Sequence, residues 1–431
     1  MTASPLHPRF AAPQLALALT DTPVVLVNGP RQSGKTTLAR QVGEPLGYTY
    51  LSFDDPVVLA VARDDPSGFV ADLPEKIILD EVQKAPGLFS AIKLSVDRNR
   101  KPGRFLLTGS ANVLLVPKLS DSLAGRLAIL RLHPLSQCEL AGVDSHFLER
   151  LFRAEFSLHT SRRLGLELAE RIVAGGFPPA LARQAPARRS AWYRDYLETL
   201  VERDVYDLSR IASLDALPRL LALAASQTAR LLNVASLAAP FAMARQTIRD
   251  YLTLLERVFL VEELPPWHSN QMSRLIKAPK LHMGDTGLAC ALLDQDAAGL
   301  WKDRAALGQM LETFVLQELR RQADWGEKPT RFFHYRDKDQ VEVDVVAERG
   351  AFAVAGIELK ASGTVAGSDF TGLRRLREVT GDRFKAGVVL YDGETCLGFG
   401  DRLFAVPVRT LWENPGGRPP EDVAKSNWLF P

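Results

Sequence analysis

The chain lacks the features that mark several large classes of protein. Its three cysteines, Cys138, Cys290 and Cys396, lie far apart, without the close spacing of a zinc site or a disulfide framework. The N-terminus lacks a charged start followed by an apolar core of secretory length, and no run of about eighteen apolar residues occurs anywhere. We therefore expect a soluble cytoplasmic protein that contacts no membrane and keeps its thiols reduced.

A strong charge of one sign is also missing. The net charge is +2, so any contact with DNA must come from a local patch rather than from an overall basic field. The hydrophobic fraction of 46% and the charged fraction of 24% are those of an ordinary globular protein. With 431 residues and no obvious internal repeat, the chain is long enough for about three domains.

A phosphate-binding loop of the Walker A type is the most informative motif present. An apolar run at residues 24–27 predicts a buried strand, and a helical pattern follows at residues 37–42. Between them the glycines allow a tight turn whose N–H groups point at phosphate oxygens, with Lys35 reaching the β- and γ-phosphates and Thr36 holding Mg²⁺. The predicted nucleotide-binding residues here are Gly29, Pro30, Arg31, Gln32, Ser33, Gly34, Lys35, Thr36 and Thr37.

Two acids follow a second apolar run, at Asp80 and Glu81. This is a Walker B pattern, in which Asp80 would coordinate Mg²⁺ and Glu81 would polarise the attacking water as general base. A third apolar run ends in Thr108 and Ser110, which fits a strand lying between the other two. These hydroxyls are candidates for sensing the γ-phosphate, and a turn-capping role fits them as well.

Strands separated by helices, with the loop after the first strand, predict an α/β core with a parallel sheet covered on both faces, over residues 1–136. Arg126 precedes the last predicted strand of this core. Its position is similar to that of the arginine finger in AAA+ ATPases, which reaches the nucleotide of a neighbouring subunit and would make the protein a homo-oligomer. A surface arginine that pairs locally is the alternative.

Residues 137–214 show a mostly helical pattern, which we interpret as a lid or linker. Within them, residues 175–178 (GGFP) resemble the motif of signal-transduction ATPases in which a proline, here Pro178, packs on adenine. A helix-breaking turn is the other interpretation.

Residues 215–300 have the pattern helix, turn, helix, strand, which predicts a winged helix-turn-helix. Its second helix begins with polar residues where base and phosphate contacts are usually made. A packing or protein-binding module is the alternative. The candidate DNA-binding residues are Arg245, Gln246, Thr247 and Arg249.

Residues 301–431 contain an amphipathic helix followed by alternating strand patterns. Asp344, followed after about a dozen residues by Glu358 and Lys360 on one strand face, is the pattern of a PD-(D/E)xK nuclease, and Glu312 stands where that fold often has a further acid. The acids, Asp344 and Glu358 above all, would hold Mg²⁺, and the lysine would activate water. A salt-bridged sheet, or a nuclease fold that no longer cuts, remains open.

The whole chain resembles a bacterial and archaeal family of AAA-type ATPases that carry a C-terminal domain of unknown function. The stretches that carry this resemblance are 29–37 (GPRQSGKTT), 79–83 (LDEVQ), 107–110 (LTGS), 123–126 (LAGR), 175–178 (GGFP), 285–288 (DTGL), 342–346 (EVDVV) and 357–360 (IELK). The resemblance implies a P-loop ATPase that uses ATP and Mg²⁺, but leaves its biological role open.

Two hypotheses of function follow. In the first, the protein is an oligomeric AAA+-like motor or remodeller that hydrolyses ATP and acts on DNA structures, with the nuclease-like domain gripping or cutting DNA. In the second, it is a nucleotide-switched regulatory or defence ATPase that signals through protein partners. Salt-sensitive DNA binding favours the first, and ATP turnover that is insensitive to DNA favours the second.

Overall fold

The structure is a computed structural model that describes residues 6–110, 123–200, 216–269, 274 and 278–414. Its N-terminal part is built on a five-stranded sheet. All neighbouring strands of this sheet are parallel, in the order β2-β3-β4-β1-β5. The strands are β1 (Val24–Asn28), β2 (Thr49–Ser52), β3 (Ile77–Asp80), β4 (Phe105–Gly109) and β5 (Leu127–Arg131). The predicted position of β4, between the strands that precede the two Walker motifs, is confirmed.

Helices cover both faces of this sheet. Val24 packs in a cluster with the helix Leu88–Arg98, whereas the next residue, Val25, packs with the helices Ala12–Asp21 and Lys35–Gly43. Neighbouring residues of a strand point to opposite faces, so a strand that is apolar throughout requires a layer of helices on each side. The remaining helices of this part are Pro56–Asp64 and Pro66–Asp72, with 3₁₀ turns at Glu44–Leu46 and Val82–Lys84.

The middle part consists mainly of helices. They are Gln137–Ala141, Phe147–Arg153, Leu166–Ala174, Pro178–Leu181, Pro186–Thr199, Ala216–Ser226, Val234–Ala238 and Arg245–Arg257, with a 3₁₀ turn at Ala239–Phe241. A small antiparallel sheet, in the order β7-β9-β8, packs beside the last of them. Its strands are β7 (Arg230–Leu231), β8 (Val261–Leu264) and β9 (Lys280–Met283).

The C-terminal part carries a seven-stranded mixed sheet in the order β10-β11-β12-β13-β15-β14-β6. Its strands are β6 (His159–Thr160), β10 (Arg331–Arg336), β11 (Glu342–Arg349), β12 (Ala353–Lys360), β13 (Phe384–Tyr391), β14 (Thr395–Gly398) and β15 (Leu403–Pro407). Its helices are Thr286–Leu292, Ala297–Lys302, Arg304–Trp325 and Thr371–Thr380, with 3₁₀ turns at Gly367–Phe370, Gly381–Arg383 and Val408–Leu411.

The middle and C-terminal parts share one hydrophobic core, which runs from Cys138 to Trp412. Two backbone connections support it: β6 pairs with β14, and Pro266, just after β8, forms a parallel bridge with His334 of β10. The segment that follows the N-terminal sheet therefore contributes a strand, β6, to the edge of the C-terminal sheet.

The three cysteines are free and buried, as expected from their spacing. Within the described part of the chain, no helix is both long and apolar enough to span a bilayer.

Candidate functional site

The loop between β1 and the helix Lys35–Gly43 has the backbone of an anion-binding turn. Gly34 stands at the N-cap with φ 94°, a conformation that favours glycine, and no side chain caps the helix. Gly29 lies so close to the residue that follows β5 that an added Cβ would be 3.0 Å from the carbonyl carbon of Leu132. The first N–H groups of the helix remain available to a ligand, and the helix dipole favours a negative one.

Lys35 is buried at the base of this loop, and its Nζ donates a hydrogen bond to the Pro30 carbonyl at 2.9 Å. Ser33 is buried, Thr36 is half-buried, and Gln32 and Thr37 are exposed, with φ 63° at Gln32. The Arg31 carbonyl accepts a hydrogen bond from the Tyr196 hydroxyl at 3.2 Å. The ammonium group of Lys35 is therefore held inside the turn, close to the helix terminus.

Asp80, at the end of β3, accepts hydrogen bonds from three hydroxyl groups. The Thr36 hydroxyl lies 2.9 Å from Oδ1 and the Tyr50 hydroxyl lies 2.9 Å from Oδ2, while Thr108 also donates to Oδ1. These residues come from separate elements, which meet because the carboxyl ends of parallel strands share one edge of the sheet. Carboxylate and hydroxyl oxygens are the ligands that Mg²⁺ prefers, so this set fits that ion.

Glu81 is oriented by the two hydroxyl residues at the end of β4. Its backbone, at φ 59°, donates to Thr108 Oγ1 at 3.2 Å, and its carboxylate accepts from Ser110 Oγ at 3.0 Å. The amide of Gln83 donates to Ser110 Oγ at 2.8 Å and also to Glu81. Thr108 and Ser110 thus contact the acids directly. Gln83 was not predicted, although it lies within the recognised stretch 79–83.

Arg9 is a second residue that sequence reasoning missed. Its guanidinium donates to the Ser33 carbonyl at 2.7 Å, to the His133 carbonyl at 2.7 Å and to Glu139 at 2.9 Å, and its side chain is 8% exposed. It therefore ties the phosphate-binding loop to the segment that follows β5. No motif marks it, because all three partners are distant in sequence.

Residues 175–178 lie close to the loop through an aromatic cluster. Phe177 is buried against Trp192, Tyr193 and Tyr196, and Tyr196 contacts the loop directly. Pro178 follows Phe177 as the first residue of the helix Pro178–Leu181.

A buried carboxylate fixes the backbone just before Pro178. Asp285 accepts hydrogen bonds from the N–H groups of Gly176 at 2.8 Å and Gly287 at 2.9 Å, and Arg321 lies 3.4 Å away. Burial raises the pKa of Asp285, against the effect of Arg321 and of these N–H groups. The stretches 175–178 and 285–288 are therefore brought together by one hydrogen-bonding centre.

Arg126 lies at the amino edge of the sheet, opposite the edge that carries the phosphate-binding loop. Its carbonyl accepts from Val24 N, at the start of β1, and its side chain forms an ion pair with Asp97 at 2.6 Å. Arg126 therefore does not contact the phosphate-binding loop of its own chain.

The candidate DNA-binding residues lie at the start of the helix Arg245–Arg257. Arg245 and Gln246 are exposed, and Thr247 and Arg249 are half-buried. Arg249 forms an ion pair with Glu263 of β8 at 2.7 Å, and Gln246 donates to Asp250 at 2.8 Å. Among the described residues, Arg245 forms no hydrogen bond or ion pair.

The four nuclease-pattern residues of the C-terminal part do converge, together with a lysine that was not predicted. Lys280, the first residue of β9, lies 2.7 Å from Glu312 Oε1 and 3.4 Å from Asp344 Oδ1. Glu358 lies beside them, and Lys360 Nζ is 3.8 Å from its carboxylate. We call these five residues the acid cluster.

Burial dominates the ionisation of the acid cluster. Burial, and then the charge of Asp344, raises the pKa of Glu312 to about 8, and the same two causes raise the pKa of Glu358 well above its ordinary value. Burial alone would lower the pKa of Lys280, but Glu312 and Asp344 outweigh it and the pKa is raised. Lys280 therefore stays charged at neutral pH.

The acid cluster does not have the arrangement of a metal centre. Among the described residues, no group of three or more histidine, cysteine, aspartate or glutamate side chains is placed to hold a metal ion. In the acid cluster, the Lys280 ammonium group already contacts Glu312 and Asp344, where a metal ion would have to bind.

Three family models match successive parts of the chain. Family models match at residues 21–141 (AAA domain), residues 165–299 (domain of unknown function DUF8612) and residues 307–411 (domain of unknown function DUF4143). Uncharacterized protein Rv2008c of Mycobacterium tuberculosis is 32% identical over 401 residues, which cover 93% of this chain and 83% of the relative. Uncharacterized protein Mb2031c of Mycobacterium bovis matches with the same values.

The chain belongs to the family of AAA-type ATPases that carry a C-terminal domain of unknown function. The family resemblance inferred from the motifs is thereby confirmed, as is the fold class of a P-loop ATPase built on a parallel sheet.

Two solved structures are remotely similar to this chain. The Walker-type ATPase paby2304 of Pyrococcus abyssi is 14% identical, covering 67% of this chain and 99% of its own, with a TM-score of 0.41. The RuvB Holliday junction branch migration motor of Thermotoga maritima is 19% identical, covering 60% and 90%, with a TM-score of 0.30. At these scores neither likeness bears on function.

Proposed function

We propose that this AAA-type ATPase hydrolyses ATP with Mg²⁺ and couples turnover to the binding of DNA, as a motor or remodeller of DNA structures. The observation that carries the ATPase part is the set of oxygens around Asp80, which lies beside an uncapped helix terminus and the buried ammonium of Lys35. A Mg²⁺ ion held by Thr36 and Asp80 would neutralise charge on the nucleotide phosphates.

Glu81 is the general base in this proposal. Its carboxylate is anchored by Ser110 and Gln83, and its N–H by Thr108, so its orientation does not depend on the ligand. Preorganisation of this kind lowers the cost of positioning a water molecule. Thr108 contacts both Asp80 and Glu81, and Ser110 contacts Glu81, which supports Thr108 and Ser110 as the residues that sense the γ-phosphate.

The DNA-binding part rests on the helix Arg245–Arg257 and its surroundings. The elements follow one another in the order helix, β7, helix, helix, β8 and β9, and the three strands form one antiparallel sheet. This is the order of a winged helix, which supports that interpretation of residues 215–300. Arg245 and Gln246 are exposed at the start of the helix, where phosphate and base contacts are made. Arg249 would have to leave Glu263 before it could contact DNA.

The test of DNA coupling compares ATPase rates with no DNA, single strands, duplex and branched junctions. We expect stimulation by at least one of these, with binding that weakens steeply as salt rises. Arg245→Ala should reduce DNA affinity at every sequence. Arg188→Ala is the matched control, because Arg188 is an exposed arginine in the first turn of another helix, Pro186–Thr199.

A second candidate function is a nucleotide-switched regulatory or defence ATPase that signals through protein partners. It is favoured by the packing of the segment after β8: Trp267 is buried, its N–H groups donate to the His334 carbonyl and to Glu348, and it is not free to contact DNA. ATP turnover that stays unchanged with all four DNA conditions, together with salt-insensitive DNA binding, would favour this candidate.

Arg126 supports the proposal of a homo-oligomer. It lies on the edge of the sheet away from its own phosphate-binding loop, so a catalytic role requires a neighbouring subunit. The ion pair with Asp97 would have to open, which fits an arginine that engages only when a neighbour is present. An arginine that serves only this local pair is the competing interpretation.

The proposed division of the chain is an ATPase core at residues 1–136, a helical lid at 137–214, a winged helix at 215–300 and a nuclease-like domain at 301–431. In the last of these, Glu312, Asp344, Glu358 and Lys360 are the residues that would grip or cut DNA. Incubation with labelled duplex, junction and single-stranded DNA tests cutting. Products that disappear in Asp344→Ala, with ATP hydrolysis retained, would indicate a nuclease.

A further inference from the structure

Lys280 reaches the acid cluster from outside the strands and helix that carry the acids. It begins β9 of the small antiparallel sheet, where it pairs with Leu231 of β7 and Leu264 of β8. Glu312 belongs to the helix Arg304–Trp325 and Asp344 to β11 of the large sheet. The ammonium group and its carboxylate partners therefore come from two different sheets that are packed together.

The ammonium group of Lys280 lies between two of the acids and contacts one oxygen of each. Lys280 Nζ donates hydrogen bonds to Glu312 Oε1 at 2.7 Å and to Asp344 Oδ1 at 3.4 Å. The other oxygen of Asp344 accepts the N–H of Leu359 at 3.0 Å. The Lys280 side chain is 7% exposed, so water cannot readily replace it. A divalent ion would need the same two oxygens.

Two polar atoms beside the ammonium remain without a hydrogen-bond partner among the described residues. His282, two residues along β9, is fully buried, and its Nε2 faces Glu312 Oε1 at 3.9 Å. Glu358 Oε2 is also buried without a hydrogen-bond partner. Histidine nitrogen and carboxylate oxygen are both metal ligands, so the surroundings retain more ligand atoms than Lys280 uses.

The charge balance of the cluster supports the same conclusion. Lys280 and Lys360 bring two positive charges to the cluster: Lys280 lies 2.7 Å from Glu312, and Lys360 lies 3.8 Å from Glu358. Two further acids lie nearby: Glu342 is paired with Arg336 at 2.9 Å, and Asp369 lies 3.5 Å from Lys360 Nζ. A further dication next to Lys280 would be repelled.

We propose that Lys280 is a built-in cation that occupies the position of a divalent metal in the acid cluster. While the small sheet is docked, the cluster excludes Mg²⁺ and Mn²⁺; withdrawal of Lys280 would open a metal site formed by Glu312, Asp344 and Glu358 with His282 beside them. The C-terminal part is thus kept closed by a residue of the neighbouring sheet. This inference concerns a site separate from the nucleotide loop and does not depend on ATP turnover.

The test measures Mn²⁺ binding to the full-length, nucleotide-free chain by electron paramagnetic resonance. In wild type, we expect no Mn²⁺ to bind at the acid cluster. Wild type and Asp344→Asn should therefore bind the same amount of Mn²⁺. Lys280→Met should gain one Mn²⁺ ion per chain, and Lys280→Met combined with Asp344→Asn should lose it. Weak binding at the nucleotide loop is common to all four proteins and cancels in the comparison. Lys302→Met, which removes an exposed lysine elsewhere, is the matched control and should bind as wild type does.

Two further measurements keep the test decisive if Lys280→Met folds poorly. Lys280→Arg retains a cation and should keep the cluster closed to Mn²⁺. Mn²⁺ should also raise the melting temperature of Lys280→Met but not that of wild type, because the metal restores the missing charge. The proposal is overturned if wild type binds Mn²⁺ in a manner that Asp344→Asn abolishes, or if folded Lys280→Met binds no more Mn²⁺ than wild type.

Discussion

Gly29→Ala should damage the nucleotide site through a clash with backbone rather than through any lost side chain. The new Cβ would lie 3.0 Å from the Leu132 carbonyl carbon and closer still to its oxygen, whereas carbon atoms in contact are ordinarily about 3.5–4.0 Å apart. Both groups are held in place: Gly29 N donates to the Gly109 carbonyl and Leu132 N donates to the Asn28 carbonyl. The loop and β5 must therefore separate by about half an ångström or more.

The cost follows from how the protein relieves this clash. If the loop stays in place, overpacking should cost about 1–3 kcal/mol of unfolding free energy. If the loop moves, the cost appears instead as weaker hydrogen bonds to phosphate, each worth about 1.5–3 kcal/mol. The two losses share one cause, so their sum should be about 1–3 kcal/mol. If the whole loss falls on ATP binding, the ATP dissociation constant rises by up to about a hundredfold.

Calorimetric titration with ATP and denaturant unfolding of the same samples separate the two losses. Gly308→Ala is the control, because a Cβ at Gly308 meets nothing within 4 Å and Gly308 lies inside the helix Arg304–Trp325. That change should stabilise the protein by about 0.5–1 kcal/mol and leave ATP binding unchanged. The reasoning is refuted if Gly29→Ala leaves both the unfolding free energy and the ATP affinity within about 0.5 kcal/mol of wild type.

Three further predictions concern catalysis, assembly and stability. Lys35→Ala should weaken ATP binding by about 1.5–3 kcal/mol, whereas Glu81→Gln should bind ATP normally and lose about 10²–10⁴ in turnover; equal turnover in Glu81→Gln and wild type would remove Glu81 from its role. Mixing Arg126→Ala with Glu81→Gln should restore some ATPase activity at mixed interfaces. The role of Arg126 in a neighbouring subunit is contradicted if the mixture is inactive and wild type stays monomeric with ATP. Arg321→Met should cost about 3–5 kcal/mol of unfolding free energy, because it leaves the buried carboxylates of Glu318 and Asp285 unpaired. Burial raises the pKa of Glu318 to about 7, so its contribution to stability falls as pH rises from about 4.5 to about 7. Arg321→Met lacks the lowering effect of Arg321 on this pKa, so it should continue to lose stability above that range. Urea titrations at several pH values measure this difference.

The acid cluster shows where prediction from sequence stopped. The alternation of β11 and β12 was sufficient to place Glu358 and Lys360 on one face, and Asp344 lies one position beyond the pair Val345–Ile357 at the end of that ladder. Nothing local pointed to Lys280, which is 64 positions from Asp344 and belongs to another sheet. The pattern therefore identified the acids but not the cation that occupies their centre.

Local chemistry determined the parts of this protein that the sequence alone could define. The phosphate-binding loop, the acids after β3 and the hydroxyls after β4 each depend on residues that are adjacent in the chain, because a turn or a strand end is set by the residues within it. Only the tertiary structure decided which distant groups hold these parts in place. Arg9 reaches Glu139 across 130 positions, Tyr196 reaches Arg31 across 165, and Arg126 is turned away from its own loop by the direction of β5. Such contacts follow from the packing of whole elements, for which no short motif exists.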